Sequence, residues 1–467
     1  MDRSARLLTV SALLAVGCNG GAPEGESASA SASSVTVASV SASASASASA
    51  SASASASASG TDSDSGDASS DAGSDSDSAA SDSAASDSAA SDSAGGPKFD
   101  LGETPDLGDS IGCGDGGMNE GFSYIWIANS QQNTVSKINT KTGVEEGRYY
   151  VEGGSPSRTS VNQFGDVAVS SREPGGVTKI AAREDGCVDT NQNGVIDTST
   201  GPNDIKPLGQ DECVLWRKPI PSPGYSSGVR ATAWEGVEVD PVTCAAPMPR
   251  LWFGWMDSNS TAHFVRVDGA TGETLDELTY PWGAGYSPYG GAVNAKGDFF
   301  AVGLSNQPVV KIDAQTLQIT DLGLPGGCKY GMSLDADGNI WVGGCGTSAV
   351  YRWDAQSNTW STLNGSGGSR VNGIMADRWG NVWGAGSSGC RLVHIDAESQ
   401  TYVNNAIPLP GCSNPWGVSV DIDGYVWVVD MSANQAYKVH PETYQVELTV
   451  TGLVGPYTYS DMTGAGL

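Results

Sequence analysis

One stretch of this 467-residue sequence places oxygen-bearing side chains at the spacing that a cation requires. In DTNQNGVIDTST, residues 189–200, oxygen donors stand at the first, third and fifth positions, and Gly194 follows where the chain must turn sharply. The predicted ligands are Asp189, Asn191, Asn193, the main-chain carbonyl of Val195, and Asp197. Hard oxygen ligands in this order suit Ca²⁺, so the stretch predicts a structural calcium site.

The end of this loop departs from the usual calcium pattern. Its start is similar to EF-hand and dockerin loops, but Thr200 stands where a bidentate carboxylate is expected, and Asp204 is off the spacing. An Asn-Gly turn in a surface hairpin is the alternative. The loop lies in an insertion, residues 181–213, between Cys187 and Cys213. We expect these two cysteines to form a disulfide that stabilises the insertion.

The N-terminus carries a targeting signal. MDRSARLLTVSALLAVGCNG has two arginines, an apolar run over residues 7–16 and small residues before Cys18, which is typical of a secretory signal and too short to span a bilayer. Its AVGC ending resembles a bacterial lipobox. The resemblance implies that residues 1–17 are removed, that Cys18 at the head of residues 18–26 is lipidated, and that a membrane of the bacterial cell envelope holds the protein on its periplasmic or surface-exposed side. A signal peptide cleaved elsewhere is the alternative.

Residues 27–96 form a linker between this signal and the rest of the chain. They are almost wholly Ser, Ala, Gly and Asp without an aromatic residue, so we expect disorder, because too little apolar surface is available to offset the entropy of ordering. Nine of their aspartates contribute to a formal net charge of −29, and about −20 remains outside the linker. Such acidity excludes nucleic acid as a partner. Besides Cys18, the chain has eight cysteines, enough for four disulfides in an exported protein.

A repeat organises residues 97–467. An apolar strand, a D-x-x-G turn and a Trp-centred strand recur in PYGGAVNAKGDFFAVG, KYGMSLDADGNIWVGG, VNGIMADRWGNVWGAG and PWGVSVDIDGYVWVVD. The residue before the first glycine is Tyr289, Tyr330, Asn372 or Trp416, at intervals of 41, 42 and 44 residues. This period is typical of four-stranded propeller blades. We place Ser157 and Glu235 at the same position in two earlier, degenerate units.

A seventh unit, residues 124–143, has no inner strand upstream. The C-terminal GPYTYSDMTG has the pattern of an inner strand with nothing after it. Pairing the two would close the ring and leave no exposed sheet edge. The sequence therefore predicts an all-β fold: a seven-bladed β-propeller whose composite first blade is closed by the C-terminal strand, preceded by the disordered linker.

The blade pattern P-x-G-I/V-x-x-D-x-x-G-x-V/I-W resembles the streptogramin (virginiamycin) B lyase and NHL-repeat group of propellers. In the lyases a His precedes the inner-strand glycine and a Glu ends the next strand, and with magnesium this pair supports ring opening. No blade here has that combination. The three histidines, His263, His394 and His440, fall in or at the end of third strands. Without this base the elimination has no obvious agent, so we assign no catalytic residue.

Aromatic and basic residues take these places at the channel mouth. Rings with polar tips suit a sugar, a peptide or protein segment, or an aromatic small molecule. The candidate ligand-binding residues are Tyr289, Tyr330, Lys329, Arg370, Asn372, Trp416, Tyr459 and Glu235. The alternative is that they fill a narrow channel and pack on one another.

The expected function is therefore that of a membrane-anchored, non-catalytic propeller that binds a ligand or partner at its mouth. Two alternatives stay open. A metal-dependent lyase or lactonase-type hydrolase would need Glu235, Asn372 and Asp430 to converge on the axis. A structural envelope lipoprotein would need no site. The fold does not choose among them.

Overall fold

The computed structural model describes residues 123–238, 240, 245–345, 349–368 and 370–465. The predicted signal, Cys18, the linker, Cys113 and Cys244 lie outside the described residues. None of the described helices is long and apolar enough to cross a membrane.

The described residues form seven antiparallel sheets. The first has three strands, β1 (Tyr124–Asn129), β2 (Thr134–Asn139) and β3 (Glu145–Tyr150). The second has β4 (Pro156–Val161), β5 (Val167–Arg172), β6 (Gly175–Ile180) and β7 (Val214–Ile220). The third has β8 (Thr232–Trp234), β9 (Leu251–Met256), β10 (Thr261–Val267) and β11 (Thr274–Pro281). Short 3₁₀ helices lie at Glu184–Gly186 and Tyr225–Ser227.

The remaining four sheets follow the same order along the chain. The fourth has β12 (Gly290–Val293), β13 (Phe299–Val302), β14 (Val309–Ile312) and β15 (Ile319–Asp321). The fifth has β16 (Lys329–Leu334), β17 (Ile340–Gly344), β18 (Ala349–Asp354) and β19 (Thr359–Asn364). The sixth has β20 (Val371–Ala376), β21 (Asn381–Gly386), β22 (Arg391–Asp396) and β23 (Thr401–Pro408). The seventh has β24 (Pro415–Val420), β25 (Val426–Asp430), β26 (Gln435–Val439) and β27 (Val446–Thr451).

The C-terminal segment completes the first sheet. Its Tyr457 N–H donates to the carbonyl of Ala128 (3.0 Å), and the Trp126 N–H donates to the carbonyl of Met462 (2.9 Å). A bridge between Asn129 and Pro456 continues the pairing. The chain end is thus the inner strand beside β1, which confirms the predicted seven-bladed propeller and its composite first blade.

The D-x-x-G turns hold the two inner strands of a blade together. In the sixth sheet, Asp377 accepts main-chain N–H groups from Trp379 and Asn381, both at 2.9 Å. Its other carboxylate oxygen accepts the indole N–H of Trp383 (2.9 Å) on the next strand. The same aspartate-to-indole bond recurs in the fifth and seventh sheets. The motif therefore specifies a tight turn, and the predicted role of its aspartate as a turn residue is confirmed.

The core lies between neighbouring blades. Inner strands such as β20 are buried along their whole length, whereas outer strands such as β11 alternate with exposed positions, as expected when only one face meets the next blade. The five tryptophans that the repeat pattern placed mid-strand are fully buried: Trp126, Trp252, Trp341, Trp383 and Trp427. Each contributes a large apolar surface to an inter-blade contact.

Three disulfides join described cysteines: Cys187 with Cys213, Cys328 with Cys345, and Cys390 with Cys412. The first is the predicted pair around the insertion. Disulfides persist in oxidising compartments, so this is a secreted, non-cytoplasmic protein.

Candidate functional site

A β-bulge at the start of several inner strands aims one residue at the propeller axis. The register with the second strand shifts at Tyr330 in β16, at Asn372 in β20 and at Trp416 in β24. A glycine follows each of them because neighbouring inner strands approach closely there. A Cβ on Gly331 would lie 2.6 Å from the carbonyl oxygen of Asn372, and one on Gly373 would lie 2.7 Å from that of Trp416. The repeated x-G pair thus places side chains around the channel.

These side chains form an aromatic cluster at the channel mouth, which we call the aromatic plug. Its inner layer is buried: Tyr289, Tyr330 and Tyr459 are at most 6 % exposed. The ring centroids of Tyr330 and Tyr459 lie 4.7 Å apart, and those of Tyr289 and Tyr330 lie 4.9 Å apart. Half-buried Trp416 and Tyr457 form the outer layer, with the centroid of Trp416 5.4 Å from that of Tyr330. The predicted aromatic residues therefore come together, and they also pack on one another.

The phenol groups of the plug meet at their hydroxyl ends. The hydroxyl of Tyr289 donates to that of Tyr330 (3.1 Å), which also accepts the indole N–H of Trp416 (3.1 Å) and bonds the hydroxyl of Tyr457. Burial raises the pKa of Tyr330 and Tyr459 well above the ordinary value. Burial also acts to raise the pKa of Tyr289, but nearby guanidinium groups outweigh it and lower that pKa.

One of those guanidinium groups belongs to Arg158, on the inner strand β4. Its Cζ lies 2.9 Å from the ring centroid of Tyr459 and 5.2 Å from that of Tyr289. The side chain is 1 % exposed, and its Nη atoms donate to the carbonyls of Ser157 and Tyr289. A cation stacked on two rings in a buried setting is stabilised by their π faces.

Arg172 and Arg230 lie at the edge of the plug. The Nη1 of Arg230 donates to the hydroxyl of Ser287 (2.8 Å), and its Nη2 donates to the carbonyl of Tyr225 (2.7 Å). Arg172 donates to the hydroxyl of Tyr225 (2.6 Å), and its Cζ lies 4.5 Å from the ring of Tyr457. Tyr225 is 41 % exposed and covers both guanidinium groups. No sequence motif marks these arginines, and they are not among the candidate residues predicted from the sequence.

Glu235 does not occupy the predicted place at the mouth. It follows the inner strand β8, and its carboxylate accepts the indole N–H of Trp252 (2.8 Å) and pairs with Arg250 (2.6 Å) and Arg266 (3.5 Å). Glu235 thus takes the role of the turn aspartate in the third sheet. Arg230, five residues earlier, has the position that the sequence assignment gave to Glu235. The assignment was wrong because the degenerate W-E-G pattern was aligned on its glycine instead of on the acidic turn residue.

This placement also separates the three residues of the metal-site alternative. Asp430 pairs with Pro415 at the mouth end of the seventh sheet, and its carboxylate accepts the N–H groups of Ser413 (2.7 Å) and Asn414 (2.9 Å). Glu235 lies at the other end of an inner strand, roughly 16 Å along the chain from the mouth position at about 3.3 Å per residue. The carboxylates of Glu235 and Asp430 therefore do not converge on one point with Asn372.

The other predicted residues differ in accessibility. Asn372 is 1 % exposed at the channel, and Arg370 just before it is exposed to solvent. Lys329 is fully buried, with Nζ donating to the carbonyl of Ser305, and burial lowers the pKa of this amine to about 8. Lys329 and Arg370 therefore flank the plug without belonging to its aromatic contacts.

The histidines lie away from the channel. His263 is in the third strand β10 and stacks on Trp255 with centroids 4.1 Å apart. His394 is in β22 and stacks on Trp383 at 4.0 Å. His440 follows β26. Their positions in or after third strands are as predicted.

The insertion loop draws the predicted calcium ligands together. The two oxygens of Asp189 accept the N–H groups of Asn193 (3.2 Å) and Gly194 (2.9 Å). The side-chain amides of Asn191 and Asn193 both donate to one oxygen of Asp197 (2.8 Å each). Gly194 has a φ of +85°, as the sharp turn requires. Two carboxylates and two amides share one turn, and this donor set fits Ca²⁺.

Sequence reasoning missed the carboxylate that closes this loop. Glu212 accepts the N–H groups of Thr190 (2.8 Å) and Asn191 (3.1 Å) through one oxygen and that of Asp197 (2.8 Å) through the other. These bonds, the one from Asp197 foremost, lower the pKa of Glu212. Glu212 is adjacent to Cys213, so the Cys187–Cys213 disulfide holds Glu212 beside the loop. An acidic residue directly before the second cysteine was the signal available in the sequence.

No protein-family model matches this sequence, and no curated protein matches it. Several solved structures match it in fold. The virginiamycin B lyase of Staphylococcus aureus is 16 % identical and has a TM-score of 0.47, and the match covers 64 % of this chain and 84 % of that one. A streptogramin B lyase is 14 % identical with a TM-score of 0.45 and coverage of 65 % and 86 %. A protein from Lactobacillus plantarum is 12 % identical with a TM-score of 0.49 and coverage of 72 % and 98 %.

Proposed function

We propose that this chain is a non-catalytic binding propeller that takes a ligand with an aromatic or sugar ring at the channel mouth. The ligand is a small molecule, a glycan or a segment of a protein. The observation that carries the proposal is the layered aromatic plug. Half-buried Trp416 and Tyr457 keep ring surface available above the buried layer of tyrosines. A rigid buried layer of this kind holds the outer rings in position before a ligand arrives.

The chemistry of the channel positions supports binding over catalysis. In the described sheets these positions hold a serine, an arginine, two tyrosines, an asparagine and a tryptophan: Ser157, Arg230, Tyr289, Tyr330, Asn372 and Trp416. None offers the imidazole or carboxylate that serves as a general base in most enzymes. The metal-dependent lyase or hydrolase is less well supported, because Glu235 and Asp430 are committed to other hydrogen bonds.

An array of glycans, peptides and small aromatic compounds, probed with the full chain, tests the proposal. Trp416→Ala should weaken the binding of any captured ligand by about tenfold, the equivalent of about 1.4 kcal/mol. Trp379→Ala is the matched control, since this tryptophan is 42 % exposed in a D-x-x-G turn away from the mouth. An array without a specific ligand, or equal losses in the two variants, would contradict binding at the mouth and favour a structural envelope role.

We further propose that the protein is displayed on a lipid anchor at Cys18. The AVGC sequence and the disulfides, which require export, support this proposal. Metabolic labelling with a radioactive fatty acid should mark the protein and should fail with Cys18→Ser. Labelling of the variant at the wild-type level would contradict the anchor.

The insertion loop is proposed to hold a structural Ca²⁺ through Asp189, Asn191, Asn193, Asp197 and the carbonyl of Val195. A ligand that binds the folded state at about 100 times its dissociation constant adds about 2.7 kcal/mol to stability. A chelator should therefore lower the melting temperature of the wild type and leave that of Asp189→Ala unchanged. Asp204→Asn, outside the ligand set, should respond to the chelator as the wild type does. A wild-type melting temperature that ignores the chelator would exclude the site.

A further inference from the structure

The arginines of the mouth differ from the other buried cations of this protein. Elsewhere, several buried basic side chains face acidic ones, although buried Lys329 donates to the carbonyl of Ser305 instead. The pairs are Lys179 with Asp166 (3.2 Å), Arg266 with Asp276 (2.5 Å) and Lys438 with Asp421 (3.3 Å). A chain with 53 acidic residues has ample means to neutralise a buried cation in this way. Taking a charge out of water is costly unless a partner compensates it.

Arg158, Arg172 and Arg230 have no such partner. Among the ion pairs formed by the described residues, none includes these three side chains. Their hydrogen bonds go to main-chain carbonyls and hydroxyl groups, and all three are at most 4 % exposed. The mouth therefore carries buried guanidinium groups that lie over tyrosine rings and have no carboxylate partner among the described residues.

Unused hydrogen-bond donors gather in the same place. Across the described residues, eleven buried side-chain atoms have no hydrogen-bond partner, and five belong to the channel positions and their neighbours. These are Arg158 Nε, Ser157 Oγ, Ser171 Oγ, Asn372 Nδ2 and the hydroxyl of Tyr459. Each of the five residues is at most 1 % exposed. A buried donor without a partner costs about 1–3 kcal/mol, so five in one region point to a partner that is not part of the chain.

The missing partner must be rich in acceptors. All five groups can donate a hydrogen bond, and the arginine and amide nitrogens can do nothing else. A carboxylate or a phosphate offers only acceptors and brings the negative charge that the guanidinium groups lack, and charge-assisted bonds of this type are the strongest in proteins. We infer that the mouth binds an anionic ligand, one whose carboxylate or phosphate group bonds the unpaired donors beside Arg158 while its ring contacts Trp416 and Tyr457. This inference rests on the proposed function and names the class of ligand.

Tyr225 covers the route by which an anion would reach the arginines of the mouth. Tyr225 lies over Arg172 and Arg230 and is 41 % exposed. It belongs to a single-turn 3₁₀ helix, Tyr225–Ser227, in a segment that contains no strand. We expect displacement of this one ring to expose the guanidinium groups of Arg172 and Arg230 to solvent. Tyr225→Ala should therefore speed the association of an anion without removing any of the five unpaired donors.

Calorimetric titration of the full chain with three matched probes tests the inference. Benzoate and phenyl phosphate carry the two anion types on one ring, and benzamide is the neutral isostere of benzoate. We expect at least one anion to bind about tenfold or more tighter than benzamide, the equivalent of about 1.4 kcal/mol. The ranking of benzoate and phenyl phosphate then distinguishes a carboxylate ligand from a phosphate ligand.

Variants locate the site of that preference. Arg158→Met should reduce the anion-to-benzamide ratio to near one, whereas Arg352→Met, a buried arginine that stacks on Trp341 but pairs with Asp354, should preserve it. Because Arg158→Met removes a core contact, the ratio in the wild type decides the question even if that variant fails to fold. Equal binding of benzamide and both anions, or no binding of either anion, overturns the anionic class. Benzamide binding that Trp416→Ala abolishes would then support the proposed function without the anionic class of ligand. If neither benzamide nor either anion binds, both the proposed function and the anionic class are overturned.

Discussion

Replacing Thr458 with valine tests the closure of the propeller ring at a single hydrogen bond. The N–H of Ala128 donates to Thr458 Oγ1 at 2.8 Å, and both residues are fully buried. Valine keeps the shape of threonine but offers no acceptor, so the N–H loses its partner in a fully buried site. The expected cost is about 1–3 kcal/mol of unfolding free energy. For domains of about this size each kcal/mol lowers the melting temperature by about 2–4 °C or somewhat less.

Urea unfolding and amide hydrogen exchange together measure the effect. The unfolding midpoint should fall, and exchange at Trp126, Ala128 and Tyr457 should accelerate more than exchange in the fourth to sixth sheets. Thr178→Val is the matched control, because Thr178 Oγ1 on β6 accepts a main-chain N–H (2.7 Å) from Glu152, in the connection between the first and second sheets. It should cost a similar free energy and leave exchange at the closure unchanged.

Two results would refute this reasoning. A change in unfolding free energy below about 0.5 kcal/mol would show that the bond contributes less than an ordinary buried hydrogen bond. Equal exchange rates at the closure in the two variants would show that the first sheet is not the place where the ring opens.

Three further predictions concern buried polar groups. Asp377→Ala leaves the indole N–H of Trp383 without its acceptor and should lower the unfolding free energy by about 2–4 kcal/mol. In a double-mutant cycle with Trp383→Phe, measured by urea unfolding, the losses of the two single variants should not add. Glu235→Ala leaves the indole N–H of Trp252 without its acceptor, while Arg266 keeps its pair with Asp276, so the variant should cost about 1–3 kcal/mol. A loss below about 0.5 kcal/mol would show the Glu235 carboxylate to be dispensable. Lys329→Met should stabilise the protein below pH 8, because the folded pKa of this amine is about 8 against 10.5 when unfolded and charging it opposes folding. That advantage should shrink as the pH rises from 8 towards 10.5, and a difference constant across this range would contradict the lowered pKa.

Local patterns in the sequence were sufficient for the architecture. The D-x-x-G turn and the Trp-centred strand recur at a blade-sized period, and each aspartate acts on atoms only two to six residues away. Because these interactions join residues that are close in the sequence, a short sequence pattern is enough to predict them. The incomplete first unit and the orphan C-terminal strand also determined each other, because the first blade lacked an inner strand and the C-terminal strand lacked a blade. Cys187 and Cys213 flank the insertion at a sequence separation of 26 residues, so their pairing could be predicted from the sequence.

The site depended on contacts that no local pattern carries. Arg230 takes the channel position that was predicted for Glu235, since only the inter-strand register shows which of them precedes the inner strand. Glu212 reaches the insertion loop through a disulfide, and Arg158 meets Tyr459 about 300 positions later because the chain end returns to the first blade. The sequence by itself therefore determined the repeat, the turns and the ring. Only the tertiary structure decided which charges and rings meet at the axis, because residues there are brought together from every blade and their neighbours are distant in the chain.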